Sequence, residues 1–492
     1  MDQPAAESRK WTLEPETEYR FELDPGTSLA VKLLRGQAEV FGAELAEAKP
    51  YLFGCECKAA IFTWQGCTIE VTGRPSTEYV SDETPMSAYA NLHIALEQMR
   101  VRALSALNGS SDEDDENRDE NPSSRRAEPP RVLIVGPEHS GKTTIAKILT
   151  NYAVRAGQGW SPLLVNMDTT EGGWVVPGTI SAAPVHSPIA TYSPANPLGS
   201  AATSAPMVLS SNALVPLVYW YGHPSINRNH LLMERLVRTL GHHVDYKWDA
   251  DPECRVSGLI VDTPASFASS SSAVDHRHQV IKSCVESFKI NVILVVGHEK
   301  LYVEMQRLYG TQLNIIKIPK SGGVVELDFS YRERVFNYQL HTYMYGQVIT
   351  APPGVADATL GGEALTDLVL APSSTVIKFD DLTIYRIGAE TMAPTSALPI
   401  GAPRVVSEMQ PVLVDPSQPG SGLLNAVLAL LQPFNPDENE RYDEELLDLP
   451  VMGFLVVTSI DVPNRKMTIL APNQGSVVGR TALIGSFEWQ EQ

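Results

Sequence analysis

The stretch Arg131-Val-Leu-Ile-Val-Gly-Pro-Glu-His-Ser-Gly-Lys-Thr-Thr-Ile-Ala-Lys-Ile-Leu149 constrains this chain more than any other. Val132 to Val135 read as a buried β-strand, and Ile145, Ile148 and Leu149 recur at the spacing of one helix face. Between them, Gly136 to Thr143 fits G-x-x-x-x-G-K-[ST]. The two glycines allow a tight turn whose N–H groups point at phosphate oxygens, and the helix N-terminus adds positive potential. The Lys142 ammonium suits the β- and γ-phosphates, and the Thr143 hydroxyl suits Mg²⁺. Gly136, Glu138, His139, Ser140, Gly141, Lys142, Thr143 and Thr144 are therefore the expected phosphate-side residues. The alternative is an ordinary Gly-rich turn, which the flanking strand and helix speak against.

The rest of the chain supplies a setting for that loop. A length of 492 residues implies about two to four domains. A hydrophobic fraction of 43% is ample for packed cores, and no apolar run is long enough to span a membrane. The N-terminus lacks a signal-peptide layout. Five cysteines, an odd number, argue against a disulfide scaffold and for a reducing compartment, cytosol or nucleus. Cys55, Cys57 and Cys67 lack the further ligands of a zinc site and read as strand-buried thiols. The net charge is −20, of which Ser111–Asn121 supplies −6, a balance that speaks against tight, non-specific RNA binding and leaves room only for a local basic groove.

Along residues 1–107, alternating runs such as Glu18–Leu23, Ser28–Leu34, Ala38–Gly42, Ala59–Trp64 and Thr68–Thr72 predict a small β-sandwich. A helix follows from Met86 to about Leu107. Residues 108–130 are acidic and almost free of apolar side chains, the composition of a mobile linker; a docking or phosphorylation tail is the functional alternative. Residues 131–346 form the nucleotide domain, with Pro162–Asp168, Gly258–Asp262 and Asn291–Gly297 as further strands of a parallel sheet flanked by helices. Asp168 and Asp262 both end such strands, where ligands bind in open α/β sheets. Thr143 and Asp168 are the expected metal ligands; Asp262 is the rival acid, and either aspartate could instead cap a helix. Thr179–Ala213 reads as a long Ser/Ala/Pro/Thr-rich loop, and Leu217–Gly222 and a helix over Asn227–Leu240 resume order. From 347 to 492 a mixed, mainly β domain is expected, with strands at Thr375–Phe379, Leu382–Ile387, Gly453–Ile460 and Met467–Leu470, a hairpin at Asp461–Arg465 and a helix over Leu423–Leu431. The predicted fold is thus α/β: a central P-loop domain with a parallel sheet, flanked by an N-terminal β-sandwich and a mainly β C-terminal domain.

The chain resembles the Clp-type subunits of the pre-mRNA cleavage factor, whose relatives include polynucleotide 5′-hydroxyl kinases acting on RNA. The matching residues are Ala38–Leu45, Phe62–Cys67, Tyr79–Met86, Ala95–Arg100, the phosphate loop, Asn151–Arg155, Val176–Ile180, Ile318–Val325 and Gly453–Asp461. The resemblance implies a nuclear protein that binds ATP and Mg²⁺ and acts in pre-mRNA cleavage and polyadenylation-dependent 3′-end formation. It implies a partner, the scaffold subunit that binds the RNA polymerase II C-terminal domain, together with other 3′-end processing subunits. RNA contact is expected to be indirect or weak. It also implies that Glu18 and Lys58, surface charges on bare sequence, reach the nucleotide base.

Two departures from the kinases stand out. They carry Asp-x-Gly-Gln after the second strand; here Asp168 is followed by Thr169, Thr170 and Glu171, so a threonine replaces the glycine and a carboxylate the glutamine. Their helical lid carries several spaced arginines. In Phe329–Gly346 only Arg332 and Arg334 remain, and an ungapped match puts Phe336, Gln339 and His341 where arginines belong. Loss of such an arginine can remove about 10³- to 10⁵-fold of rate. The expected function is therefore an ATP-holding structural subunit without efficient turnover. The alternatives are an active RNA 5′-hydroxyl kinase using Lys142, Asp168, Arg332 and Arg334, and an NTPase switch.

Overall fold

A computed structural model describes residues 8–109, 128–189, 193–195, 197–199, 215–269, 274–355, 367–387, 409–434, 443–472 and 475–491. Most of the acidic segment, 110–127, and part of the Ser/Ala/Pro-rich stretch, 200–214, lie outside them, and with them the expectations set there.

The N-terminal alternation builds two antiparallel sheets. One orders Ser8–Leu13, Cys67–Gly73, Leu29–Gly36 and Pro50–Phe53; the other orders Ala43–Glu44, Glu39–Val40, Lys58–Thr63, Thr17–Glu22 and Thr77–Ser81. Leu29, Val31, Leu52, Ile61, Ile69 and Val71 meet between them and are completely buried. All five cysteines are free thiols. The next helix, Met86–Gly109, leaves the sandwich: Leu92 and Leu96 share a core with Val132–Val135 of the phosphate-loop strand. Its Arg100 is 1% exposed and donates from Nε to the Ser257 carbonyl at 2.9 Å.

The central sheet has seven strands in the order Leu217–Trp220, Thr179–Pro184, Leu163–Asn166, Leu259–Asp262, Arg131–Val135, Val292–Val296 and Asn314–Ile318. The last five are mutually parallel; Thr179–Pro184 runs antiparallel to both its neighbours, Leu163–Asn166 and Leu217–Trp220. Arg131–Val135, Leu163–Asn166, Leu259–Asp262 and Val292–Val296 are buried at every position, which explains why they read as unbroken apolar runs. The edge strand Asn314–Ile318 was not expected; its partly exposed Ile315, Ile316 and Lys317 dilute the apolar signal. The phosphate-loop strand lies between Leu259–Asp262 and Val292–Val296, so Asp262 ends beside the loop.

The C-terminal sheet orders Ser373–Lys378, Lys466–Ala471, Val451–Asp461, Ala426–Leu431, Arg480–Glu488, Leu382–Ile387 and Pro411–Leu413. It corrects the helix expected over Leu423–Leu431. Ala426–Leu431 is a central strand, paired on both sides, and Asn425 at φ 63° turns the chain into it. A short run rich in Leu and Ala carries no period that separates a buried strand from a buried helix. Alternation then serves two cores. Val427, Ala429, Leu431 and Phe454 face the central domain, whereas Leu428, Leu455 and Val457 close a separate core. The docking is close at glycines: a Cβ on Gly485 would lie 2.2 Å from the Gly222 carbonyl oxygen, and one on Gly178 2.3 Å from the Phe487 ring. No helix among the described residues is long and apolar enough to cross a membrane.

Candidate functional site

The loop from Gly136 to Gly141 links its strand to the helix Lys142–Arg155. Gly136 packs where a Cβ would press on the Ser140 hydroxyl at 2.7 Å and on Val296 at 3.1 Å. Gly141 sits at φ 84° as the helix N-cap and offers no side chain to the first turn, so the N–H groups there remain available to an anion. The Ser140 hydroxyl and the Lys142 ammonium both donate to the Pro137 carbonyl, at 2.8 and 3.1 Å, which shapes the turn. His139 adopts φ 53° and turns outward; its Nδ1 accepts from the Leu327 N–H at 3.4 Å.

Three carboxylates approach the loop. Asp262 is 1% exposed, and neither of its oxygens has a hydrogen-bond partner in good geometry. Burial pushes its carboxyl up to about 6, against the pull of the facing Thr143 hydroxyl and of Lys142. Asp168 is differently engaged: one oxygen accepts from the Thr170 N–H at 2.9 Å and from its hydroxyl at 2.6 Å. Glu171 is only partly covered, yet loss of hydration and the charges of Asp168 and Asp262 push its carboxyl up to about 7, with Lys142 and Lys147 opposing. Thr143 and Asp262 thus converge beside the loop, while Asp168 is tied into a local turn.

A cavity of about 260 Å³ opens between the loop and the N-terminal sandwich. Glu18 and Lys58 line it from one side and Ser140, Gly141 and Thr144 from the other. Glu18 is 5% exposed and accepts from Arg20 at 2.7 Å; the Lys58 ammonium donates to Glu22 at 2.5 Å and lies 5.3 Å from the Tyr331 ring centroid. Three lining residues were missed. Arg20 is 6% exposed and also donates to the Glu83 carbonyl at 2.6 Å; nothing in the strand alternation distinguishes it. Lys147 is buried beside the Phe41 ring, and burial lowers its ammonium to about 8. A lysine inside the run Ile145–Leu149 was the available signal. Tyr331 comes from the lid.

That lid is the helix Phe329–Tyr345, capped by the Asp328 carboxylate on the Tyr331 N–H at 2.7 Å. Arg332 pairs with Glu138 and reaches His139 Nε2 at 3.2 Å. Arg334 makes two bonds of 2.8 Å to the Glu56 carboxylate. Phe336 stacks on Phe487 of the C-terminal sheet with centroids 5.6 Å apart, Gln339 donates to the Glu171 carbonyl, and His341 stacks on Tyr345 at 5.0 Å. Glu138 and His139 are therefore tied to the lid, and neither they nor Gly136, Lys142 and Thr143 line the cavity.

Three family models match the chain in order. They describe the N-terminal beta-sandwich domain of polyadenylation factor over residues 12–103, the mRNA cleavage and polyadenylation factor CLP1 P-loop over 136–346, and the pre-mRNA cleavage complex II protein Clp1 over 370–491. The mRNA cleavage and polyadenylation factor CLP1 of Laccaria bicolor is 74% identical over 486 residues, covering 99% of both chains. That of Mycosarcoma maydis is 33% identical, again over 99% of both, and the CLP1 homolog of Arabidopsis thaliana is 32% identical over 99% of this chain and 95% of its own. Among solved structures, Clp1p in a Clp1p–Pcf11p complex is 25% identical with a TM-score of 0.76, covering 99% of each chain. A three-part architecture, a phosphate-binding loop beneath a lid, and matches that run from end to end lead to one conclusion: the chain belongs to the CLP1 family of mRNA cleavage and polyadenylation factors.

Proposed function

We propose that this protein is a nuclear, ATP-holding structural subunit of the pre-mRNA cleavage factor that keeps ATP and Mg²⁺ without efficient turnover. The supporting observation is a cavity built jointly by the phosphate loop and the N-terminal sandwich, while both lid arginines are engaged by protein carboxylates. The Gly136–Thr144 loop would hold the phosphates, and Glu18 and Lys58 the base. Thr143 would hold the metal with an aspartate; the partnerless, buried oxygens of Asp262 fit a cation better than Asp168, whose carboxylate already accepts from Thr170. Bound there, ATP with Mg²⁺ would supply a polyanion and a planar base that join the two domains. Arg332 and Arg334 lie on Glu138 and Glu56 instead of being free for a phosphoryl group, and Phe336, Gln339 and His341 carry no permanent positive charge to replace them.

The partner we assign is the scaffold subunit that reads the RNA polymerase II tail, the counterpart of the Pcf11p bound to Clp1p in the solved complex. Protein purified without added nucleotide is expected to release ATP on denaturation, measured by chromatography of the extract; empty protein, or ADP, overturns the reading. The retained phosphate loop and acids keep RNA 5′-hydroxyl kinase activity as the second reading. Incubation of a 5′-hydroxyl RNA with labelled ATP separates the two: label transfer that Lys142→Ala abolishes would establish the kinase.

A further inference from the structure

A small strained turn in the N-terminal sandwich grips the lid. The turn is Gly54-Cys55-Glu56-Cys57, closed by the Cys57 N–H on the Gly54 carbonyl at 3.0 Å. Its two central residues, Cys55 at φ 51° and Glu56 at φ 58°, both occupy the left-handed region that side-chain-bearing residues rarely adopt. Such outliers persist where surrounding contacts over-determine them. Here the contacts are those of Glu56. Its residue is 3% exposed, its carboxylate takes two bonds from Arg334 and one from the Tyr338 hydroxyl at 3.1 Å, and its carbonyl accepts from the Tyr331 hydroxyl at 3.4 Å. Three side chains over the first two to three turns of the lid thus converge on one glutamate of another domain.

The location gives this contact a role. Cys57 and Lys58, immediately after the turn, line the cavity, and so do Leu327 and Tyr331 at the start of the lid. The Lys58 ammonium over the Tyr331 ring continues the same seam. Glu56 therefore fastens the lid across the rim of the cavity, from the side opposite the phosphate loop. The other tie, Arg332 to Glu138, joins two half-exposed side chains and is open to water and salt. The Arg334 side chain is itself 42% exposed, but the Glu56 end is desolvated at 3%, and its bidentate geometry fixes the helix in one orientation.

We propose that Glu56, Arg334 and Tyr338 form a latch that sets the rate at which the cavity exchanges its nucleotide. The latch rests on the nucleotide-holding reading above and adds a residue set that neither the phosphate loop nor the base contacts include. Opening the lid breaks it; closing the lid remakes it, so the nucleotide leaves at the frequency of latch opening.

The test loads the full-length protein with ribose-labelled fluorescent ATP and Mg²⁺, then follows release after a chase with unlabelled ATP. Glu56→Gln and Arg334→Gln are each expected to release about ten-fold faster than wild type, as expected for loss of a charge-assisted contact. The double variant is expected to be no faster than either single one, because both remove the same contact. Tyr338→Phe, which keeps the ring and the fold, is expected to release about two- to three-fold faster. Hydrogen exchange of amides 328–338 reports the same opening without nucleotide and is expected to rise in parallel. Unchanged release in all three single variants, or additive effects in the double one, overturns the latch while leaving the nucleotide reading intact. A wild-type protein that carries no ATP of its own and does not bind the labelled ATP overturns the nucleotide reading and removes the latch's role with it.

Discussion

In the phosphate loop, the groups suited to a ligand are held by backbone and left open: Gly141 caps without a side chain, and both Asp262 oxygens lack partners. In the lid a few ångströms of protein away, the groups suited to a ligand are already occupied. Arg332 lies on Glu138, Arg334 on Glu56, and Gln339 on the Glu171 carbonyl, while Phe336 stacks on Phe487. One region leaves its polar groups uncommitted, and the other spends them on the rest of the protein. On the ATP-holding function proposed above, the difference separates a phosphate-binding loop from phosphoryl-transfer machinery: binding needs donors at one place, whereas transfer needs mobile positive charge arriving from the other side.

The comparison breaks most visibly at Lys142. Lys142→Ala is expected to empty the cavity and to remove the stabilisation that ATP confers, about 4 kcal/mol if ATP stands near 1,000 times its Kd. Denaturant unfolding with and without added ATP measures it; a variant as stable and as full of ATP as wild type would dissolve the contrast. Next comes the hydrophobic end of the lid. Phe336→Ala is expected to cost about 2 kcal/mol, less than for a fully buried ring because Phe336 is only partly buried, and Phe487→Ala, whose ring is 9% exposed, about 3 kcal/mol. Their coupling is expected at about 1 kcal/mol from a double-mutant cycle. Strict additivity would mean that the lid does not dock on the C-terminal sheet through this stack.

The smallest effects belong to Glu171. Glu171→Gln removes a carboxylate beside the phosphate loop and is expected to tighten ATP binding on the order of three-fold, read by titration calorimetry. It also changes the pH response of the nucleotide-free protein. The Glu171 carboxyl is raised from its ordinary 4.5 to about 7, so the folded state holds a proton that the unfolded state has lost. That stability is fully present below about 4.5 and disappears as pH rises toward 7. Asp262 acts in the same direction but only up to about 6. The fall in melting temperature between pH 6 and 7 is therefore expected to flatten in Glu171→Gln; an unaltered profile would assign that titration to another group.

How legible all this was in the sequence depended on whether local pattern or distant contact decided each feature. Four of the five parallel strands were legible because burial on both faces leaves mostly apolar residues, and the turns between them carry glycine, proline and aspartate; the half-exposed edge strand Asn314–Ile318 was not. The strand Ala426–Leu431 was misread because Leu and Ala favour helices, and only pairing with Val451–Asp461 and Arg480–Glu488 resolves the ambiguity. Arg20 and Glu56 were invisible as functional positions. Each is one polar residue in a β-rich segment; Arg20 meets its neighbour Glu18 but also Glu83, 63 positions on, and the Arg334 that closes on Glu56 lies 278 positions away.

The sequence by itself determined the three-part α/β architecture and the phosphate loop, because these rest on short-range chemistry: period, turn and glycine geometry; the family followed from the resemblance of its motifs. It also marked the lid as short of arginines. What became of the lid was a matter of tertiary structure alone. Which acid stands partnerless beside Thr143, that Phe336 meets Phe487, and that Arg334 closes on a strained Glu56 follow from three domains packing together, and no periodicity along the chain encodes a contact across it.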